Sequence, residues 1–251
     1  MGTELTARYV PTAWQDNPPI TADHVITDPP YDARTHTGHQ LPIRGRAAVS
    51  FPPVDPAELV PELLRRTTGW IVCFCSLEQI GAYQAAAGGA WYRGAVWDKV
   101  NPAPQFNGQG PSQAVEGLAI IWAGWRDGQP RRRPQWEAGG RAGIWRCQAA
   151  RGALRYHETD KPVELCRELV EDFTAPGDLI WDPFAGAAPV GVAAIHSGRS
   201  YWGNELDPRW HKVAAKRLQS AALAPMEPTA RERLAARRAA LVELRAAQPR
   251  S

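Results

Sequence analysis

Leu179-Ile180-Trp181-Asp182-Pro183-Phe184-Ala185-Gly186-Ala187-Ala188 is the stretch whose reading decides the fold. Three apolar residues form a strand that ends in a carboxylate. The small residues behind it let backbone approach a ligand closely, and Pro189 then opens a helix that runs to Ser197. Tyr201 to Glu205 reads as the following strand and Pro208 to Leu218 as the following helix. A strand, a glycine loop, a helix and a second strand ending in an acid make a unit suited to nucleosides, because the Glu205 carboxylate can accept both ribose hydroxyls. The glycine loop by itself is a weak signal, and its weight comes from its neighbours.

Immediately upstream, Pro162 to Phe173 has helical spacing through Val163, Leu165, Cys166, Leu169 and Val170, and Pro176-Gly177-Asp178 is a turn. Farther toward the N-terminus, Trp70 to Cys75 is a continuous apolar run, the mark of a strand buried on both faces. Asp55 and Pro56 start a helix interrupted by Pro61, Ser76 caps another to about Ala87, and Trp91 to Asp98 and 115–122 read as further strands. This alternation predicts an α/β fold with a largely parallel sheet and helices on its faces.

His24 to Thr27 is a short strand that stops in Asp28-Pro29-Pro30-Tyr31. Neither proline has an N–H, so this corner only accepts hydrogen bonds through its backbone, with a carboxylate on one side and an aromatic face on the other. It suits an amino group on a flat heterocycle; the plainer reading is a strand-ending turn. Residues 32–53 lack periodicity and read as a lid or gripping loop. His36 and His39 have no acidic or cysteine partner nearby, so no metal site is expected.

From Arg126 to Arg155, eight arginines face only Asp127 and Glu137, with Trp136 and Trp145 among glycines. No helix or strand period survives there. Arginine and aromatics on such a backbone fit an insert that tracks phosphates. The net charge of +3 is too mild to imply a polyanion partner alone, and lysine occurs only at 99, 161, 212 and 216. Cys73, Cys75, Cys147 and Cys166 lack metal-ligand spacing and read as buried free thiols. With no signal-peptide pattern and no apolar stretch of membrane-spanning length, a cytoplasmic protein with no membrane partner is expected.

Tyr156-His157-Glu158-Thr159-Asp160-Lys161-Pro162 joins the insert to the nucleoside unit. In the order Asp-Pro-Pro-Tyr, basic insert, His-x-Thr-x-Lys-Pro and Asp-Pro-Phe-x-Gly, the chain resembles the β-class, circularly permuted amino methyltransferases of DNA across residues 22–218. Trp97-Asp98-Lys99 with Pro102 and Glu116 also looks like that family's tryptophan-lysine strand. The resemblance implies a Rossmann-like S-adenosylmethionine-dependent methyltransferase fold. It divides the chain into a lead-in (1–21), a catalytic half (22–125), a short target-recognition insert (126–155), a cofactor half (156–222) and a basic tail (223–251) read as helical. By the same resemblance Asp28, Pro29, Pro30 and Tyr31 would hold the target amine. Thr159, Lys161, Asp182, Pro183, Phe184, Ala185, Gly186, Asn204 and Glu205 would hold S-adenosylmethionine. Arg34, Lys99, Arg131, Arg132, Arg133 and Arg141 would contact double-stranded DNA with the target base flipped out.

Aspartate in the first position of the catalytic motif is usual for adenine N6 rather than cytosine N4. The expected activity is therefore adenine N6 methylation, with a cytosine N4 enzyme, an RNA methyltransferase and a non-catalytic DNA-binding relative as rival readings. A homodimer and a cognate restriction enzyme belong to the same expectation. The chain departs from the family pattern after Gly186, where Ala188 and Pro189 replace a second glycine and Ser or Thr; Ala188 restricts φ and predicts a loop that sits differently.

Overall fold

The computed structural model describes residues 5–16, 20–30, 53–102, 109–126, 129–130, 134, 136–149, 160–224, 228, 236 and 239–240. Its centre is a sheet of eight strands: β1 (Ala7–Val10), β2 (His24–Thr27), β3 (Trp70–Cys75), β4 (Trp91–Asp98), β5 (Val115–Trp122), β8 (Ile144–Arg146), β9 (Leu179–Asp182) and β10 (Ser200–Asn204). They lie side by side in the order β1-β10-β9-β2-β3-β5-β4-β8. Every neighbouring pair is parallel except those made by β5, which runs against β3 and β4. A separate two-stranded ribbon pairs β6 (Trp125–Arg126) with β7 (Gln129–Pro130).

The helices are α1 (Pro56–Arg66), α2 (Ile80–Ala87), α3 (Val163–Phe173), α4 (Pro189–His196) and α5 (Pro208–Leu223). The period-2 alternation of the strands sorts their side chains between two cores. From β3, Trp70, Val72 and Phe74 join Leu165, Leu169, Phe173, Ala193 and Leu218 of α3, α4 and α5, while Ile71, Cys73 and Cys75 join Leu59, Leu63 and Tyr83 of α1 and α2. That is why the run reads as continuously apolar: both faces are covered. All four cysteines are buried and free. No described helix is long and apolar enough to cross a membrane.

The Asp55 cap appears where the sequence predicts it, and Asp207 caps α5 in the same way. Asp55 accepts from the Ala57 N–H at 2.8 Å and Asp207 accepts from the Arg209 N–H at 2.9 Å, each followed by a proline in the first helical turn. Helix α1 passes through Pro61 rather than breaking there. After Ser76, a 3-10 turn over Leu77–Gln79 precedes α2, and Gly88 at φ 52° ends it.

Two expectations change. The lead-in, read as lying ahead of the domain, is part of its sheet, because Ala7–Val10 adds an edge strand to β10. The basic insert is not without strand structure, because Ile144–Arg146 joins β4 in parallel, with Trp145 fully buried and its indole N–H donating to Asp172 at 2.8 Å. Of the tail, residues beyond 224 lie almost wholly outside the described residues, and its helical reading with them.

Candidate active site

In a doubly wound sheet, ligands sit beyond the carboxyl ends of the strands where the strand order reverses. Here that point lies between β9 and β2: the chain leaves β9 toward β10 on one side and leaves β2 toward β3 on the other. The residues that finish these strands are Asp182, and Thr27 with Asp28. The Thr27 hydroxyl donates to Asp182 Oδ1 at 2.7 Å, tying together motifs that lie far apart in the sequence.

The nucleoside side is built from backbone. The Gly186 N–H donates to Glu205 Oε2 at 2.8 Å, and the Asp207 N–H donates to Oε1 at 2.7 Å. One N–H on each oxygen fixes the carboxylate and leaves further acceptor capacity on both. Gly186 has φ 50°, and nothing lies within 4 Å of where its side chain would begin, so the loop presents bare backbone to open space. Tyr9 braces the loop from β1, its hydroxyl donating to the Gly186 carbonyl at 2.9 Å. The Trp14 and Phe184 rings lie 6.1 Å apart. A ligand with vicinal hydroxyls and a flat ring fits this donor and acceptor set.

Asp182 is almost completely buried. Burial pushes its carboxyl up to about 7, with the Asp28 and Glu205 charges adding and the hydrogen bonds from Thr27 and the Phe184 N–H opposing. Asn204 is wholly buried and committed to structure. Its Oδ1 accepts from the Trp181 indole at 2.8 Å, and its Nδ2 donates to Thr12 at 2.9 Å. Ala185 is buried too, and its N–H donates to the Asn204 carbonyl. Ala188 takes the left-handed conformation, φ 57° and ψ 45°, which favours glycine, and Pro189 starts α4 behind it.

On the side of Asp28, Lys161 is paired with carboxylates of the protein itself. It is 5 % exposed and donates to Asp28 Oδ2 at 2.5 Å and to Glu116 Oε2 at 3.3 Å. Burial alone would lower its pKa, but the two carboxylates outweigh this and hold it well above the ordinary lysine value. Glu116 is bracketed by a second cation, Lys99, at 2.8 Å. Despite burial, Lys161 and Lys99 hold its carboxyl below the usual range.

Of the expected DNA contacts, Lys99 is thus paired with Glu116. Arg141 is paired with Glu168 and, at 2.6 Å, with Asp172. Both acids are nearly or fully buried on α3, so Arg141 is engaged with the protein's own charges. Tyr31, Arg34, Arg131, Arg132, Arg133 and Thr159 lie outside the described residues. Glu116, Tyr9, Thr12 and Thr27 were not singled out as site residues by their local pattern. They reach the site through long-range pairing, and only Glu116, grouped with the tryptophan-lysine strand in the sequence reading, carried a hint.

The family model N6_N4_Mtase, described as DNA methylase, matches residues 22–216. The type II methyltransferase M.XycI of Xanthomonas campestris pv. cyanopsidis is 34% identical over 137 residues, which are 51% of this chain and 45% of that protein. The DNA adenine methyltransferase YhdJ of Escherichia coli (strain K12) is 38% identical over 65 residues, 26% of this chain and 22% of that protein. The chain thus spans less than half the length of these curated relatives. Among solved structures, the M1.HpyAVI–SAM complex superposes with a TM-score of 0.64 at 20% identity, covering 85% of this chain and 100% of that one. The PvuII DNA methyltransferase (cytosine-N4-specific) superposes at 0.61 with 13% identity, covering 84% and 86%. At these identities the structural likeness speaks to the fold.

Proposed function

This chain belongs to the DNA methylase family of that model, and on this premise we propose that it transfers a methyl group from S-adenosylmethionine to the N6 amino group of adenine in duplex DNA. The observation that carries the reading is the meeting, across the Thr27–Asp182 hydrogen bond, of an acceptor corner and a nucleoside loop at the sheet's reversal point. Glu205 and the open backbone at Gly186 suit the ribose and adenine of S-adenosylmethionine, which brings a methyl group activated on a sulfonium. Aspartate at position 28 favours adenine over cytosine. The permuted, β-class arrangement belongs to the same reading, since the catalytic corner comes before the cofactor loop in the chain. The relatives named type II methyltransferases support a place in restriction–modification beside a nuclease of matching specificity.

An exocyclic adenine amine is a poor nucleophile because its lone pair is delocalised into the ring. Asp28 and the Pro29 carbonyl each accept one of its N–H groups, drawing the nitrogen toward tetrahedral geometry and turning the lone pair outward. Holding the partners in line accounts for most of the rate, an effect worth about 7–11 kcal/mol in favourable intramolecular cases. The target base leaves the duplex to reach the corner, and stacking on Tyr31 offsets part of that cost.

The experiment is label transfer from tritiated S-adenosylmethionine to unmethylated duplex DNA and, in parallel, to structured RNA, followed by digestion to nucleosides. Label in N6-methyldeoxyadenosine is the expected result; label in N4-methyldeoxycytidine would reassign the base, and label in RNA alone the substrate. Asp28→Ala should lower transfer by about 100-fold or more, the scale set by removing one preorganised hydrogen-bonding group from a catalytic site, while calorimetry still shows cofactor binding. Full turnover by this variant would remove Asp28 from the mechanism.

A further inference from the structure

Asp28 Oδ2 is engaged by Lys161 before any substrate arrives. An amine N–H arriving at Asp28 competes with the lysine for the charge of that carboxylate, and a buried ammonium whose hold there weakens is stabilised by a second acceptor within reach. Glu116 Oε2, at 3.3 Å from the same nitrogen, stands next in line. The Phe74 ring, 5.0 Å from the ammonium, supports a cation at either position. Glu116 is itself fixed from behind by Lys99, whose ammonium also lies over the Trp97 ring at 5.4 Å.

Resting on the proposed function, we propose that Glu116 is a positioning residue for methyl transfer: it offers the Lys161 ammonium a second resting place, so that the lysine moves toward Glu116 as Asp28 takes up the target amine and returns when product leaves. Lys161 stays protonated throughout, so charge moves without a proton changing hands. In the transfer itself a C–N bond forms as the methyl–sulfur bond breaks and leaves its electron pair on sulfur. The methylated nitrogen, briefly cationic, gives its proton to Asp28 or water.

Among the described residues, the groups facing Lys161 include Asp28 beyond β2, Glu116 on β5 with Lys99 of the β4 end behind it, and Cys166 on α3. Cys75 on β3 lies near both carboxylates. Both thiols are pushed up by burial and carry no charge at neutral pH. Removing the Glu116 charge leaves burial less opposed and lowers the lysine's pKa. Removing Lys99 takes away a competing cation and does the reverse.

The test compares Glu116→Gln, Glu116→Asp and Lys99→Gln in the full chain. The kcat and KM for DNA are measured across pH, and the lysine ε-carbon resonances are titrated by NMR, where the sequence has just four lysines to assign. Glu116→Gln should lower kcat by about tenfold or more, a barrier change of about 1.4 kcal/mol. The loss should fall on kcat and leave KM for DNA near the wild-type value, and Glu116→Asp should restore most of it. Lys161, which stays protonated across the working range in the wild type, should titrate at lower pH in Glu116→Gln. Lys99→Gln breaks the same Lys99–Glu116 bridge but should cost less in kcat and should not bring the Lys161 titration down, whereas a merely structural bridge would make the two variants behave alike. Like behaviour, or a wild-type kcat in Glu116→Gln, overturns the inference while wild-type label transfer leaves the functional reading standing. A wild-type chain that transfers no label overturns both.

Discussion

At the scale of single residues, Asp182 couples the site to pH. Its carboxyl titrates near 7 in the folded protein and near 4 when unfolded, so between those values the folded state holds the extra proton. Stability contributed by this group is therefore fully present below about pH 4, falls as pH rises and levels off above about 7, by at most about 4 kcal/mol. Asp182→Asn keeps the shape and the acceptor for Thr27 and the Phe184 N–H while removing the titration. Urea unfolding at pH 4 and 7.5 should show a wild-type decline relative to this variant; parallel stabilities would mean that Asp182 ionises freely. Asp182 was legible as a strand-ending carboxylate because its neighbours are an apolar run and a glycine loop. Its protonation was not legible, since that depends on the covering by Thr27 and Tyr201 from other strands.

At the scale of elements, α4 shows how a small residue sets a distance. A side-chain carbon added at Gly191 would come within 2.6 Å of the Tyr201 ring and 2.7 Å of Leu218. Glycine there lets the helix settle against β10 and α5. Gly191→Ala gains about 1 kcal/mol of helix propensity but overfills the space, for a net destabilisation of about 1–2 kcal/mol by chemical denaturation. A more stable variant would show that α4 has slack. Elements with strong local patterns were readable from sequence: β3 from its six apolar residues, α1 from Asp55 and Pro56. The edge strand Ala7–Val10 was not, because four residues half open to solvent carry no usable period. Ile144–Arg146 was hidden by arginines on either side, and its place beside β4 is decided by Trp145 and Arg141 reaching the buried acids of α3.

At the scale of the molecule, basic charge divides between the interior and the outer surface. Arg141 serves Glu168 and Asp172, so Arg141→Gln should lower stability by about 2–3 kcal/mol, less than for a fully buried pair because the guanidinium is partly exposed. Where that variant remains folded, the salt dependence of DNA binding should be unchanged. Replacing Arg131, Arg132 and Arg133 by glutamine should flatten the log–log salt slope by about 0.9 for each phosphate no longer neutralised. A flatter slope in Arg141→Gln would return that arginine to the DNA.

The pairing of Ala7–Val10 with Ser200–Asn204 also bears on how the protein comes into being. The first of these strands is made well before the partner it pairs with, and pairings so distant in sequence form slowly. Tyr9 can brace Gly186 only once both have been translated and the far strand has docked. The nascent protein thus holds the Asp28 corner before the braced Gly186 loop that faces it across the sheet, and completion of that loop coincides with the closing of the sheet.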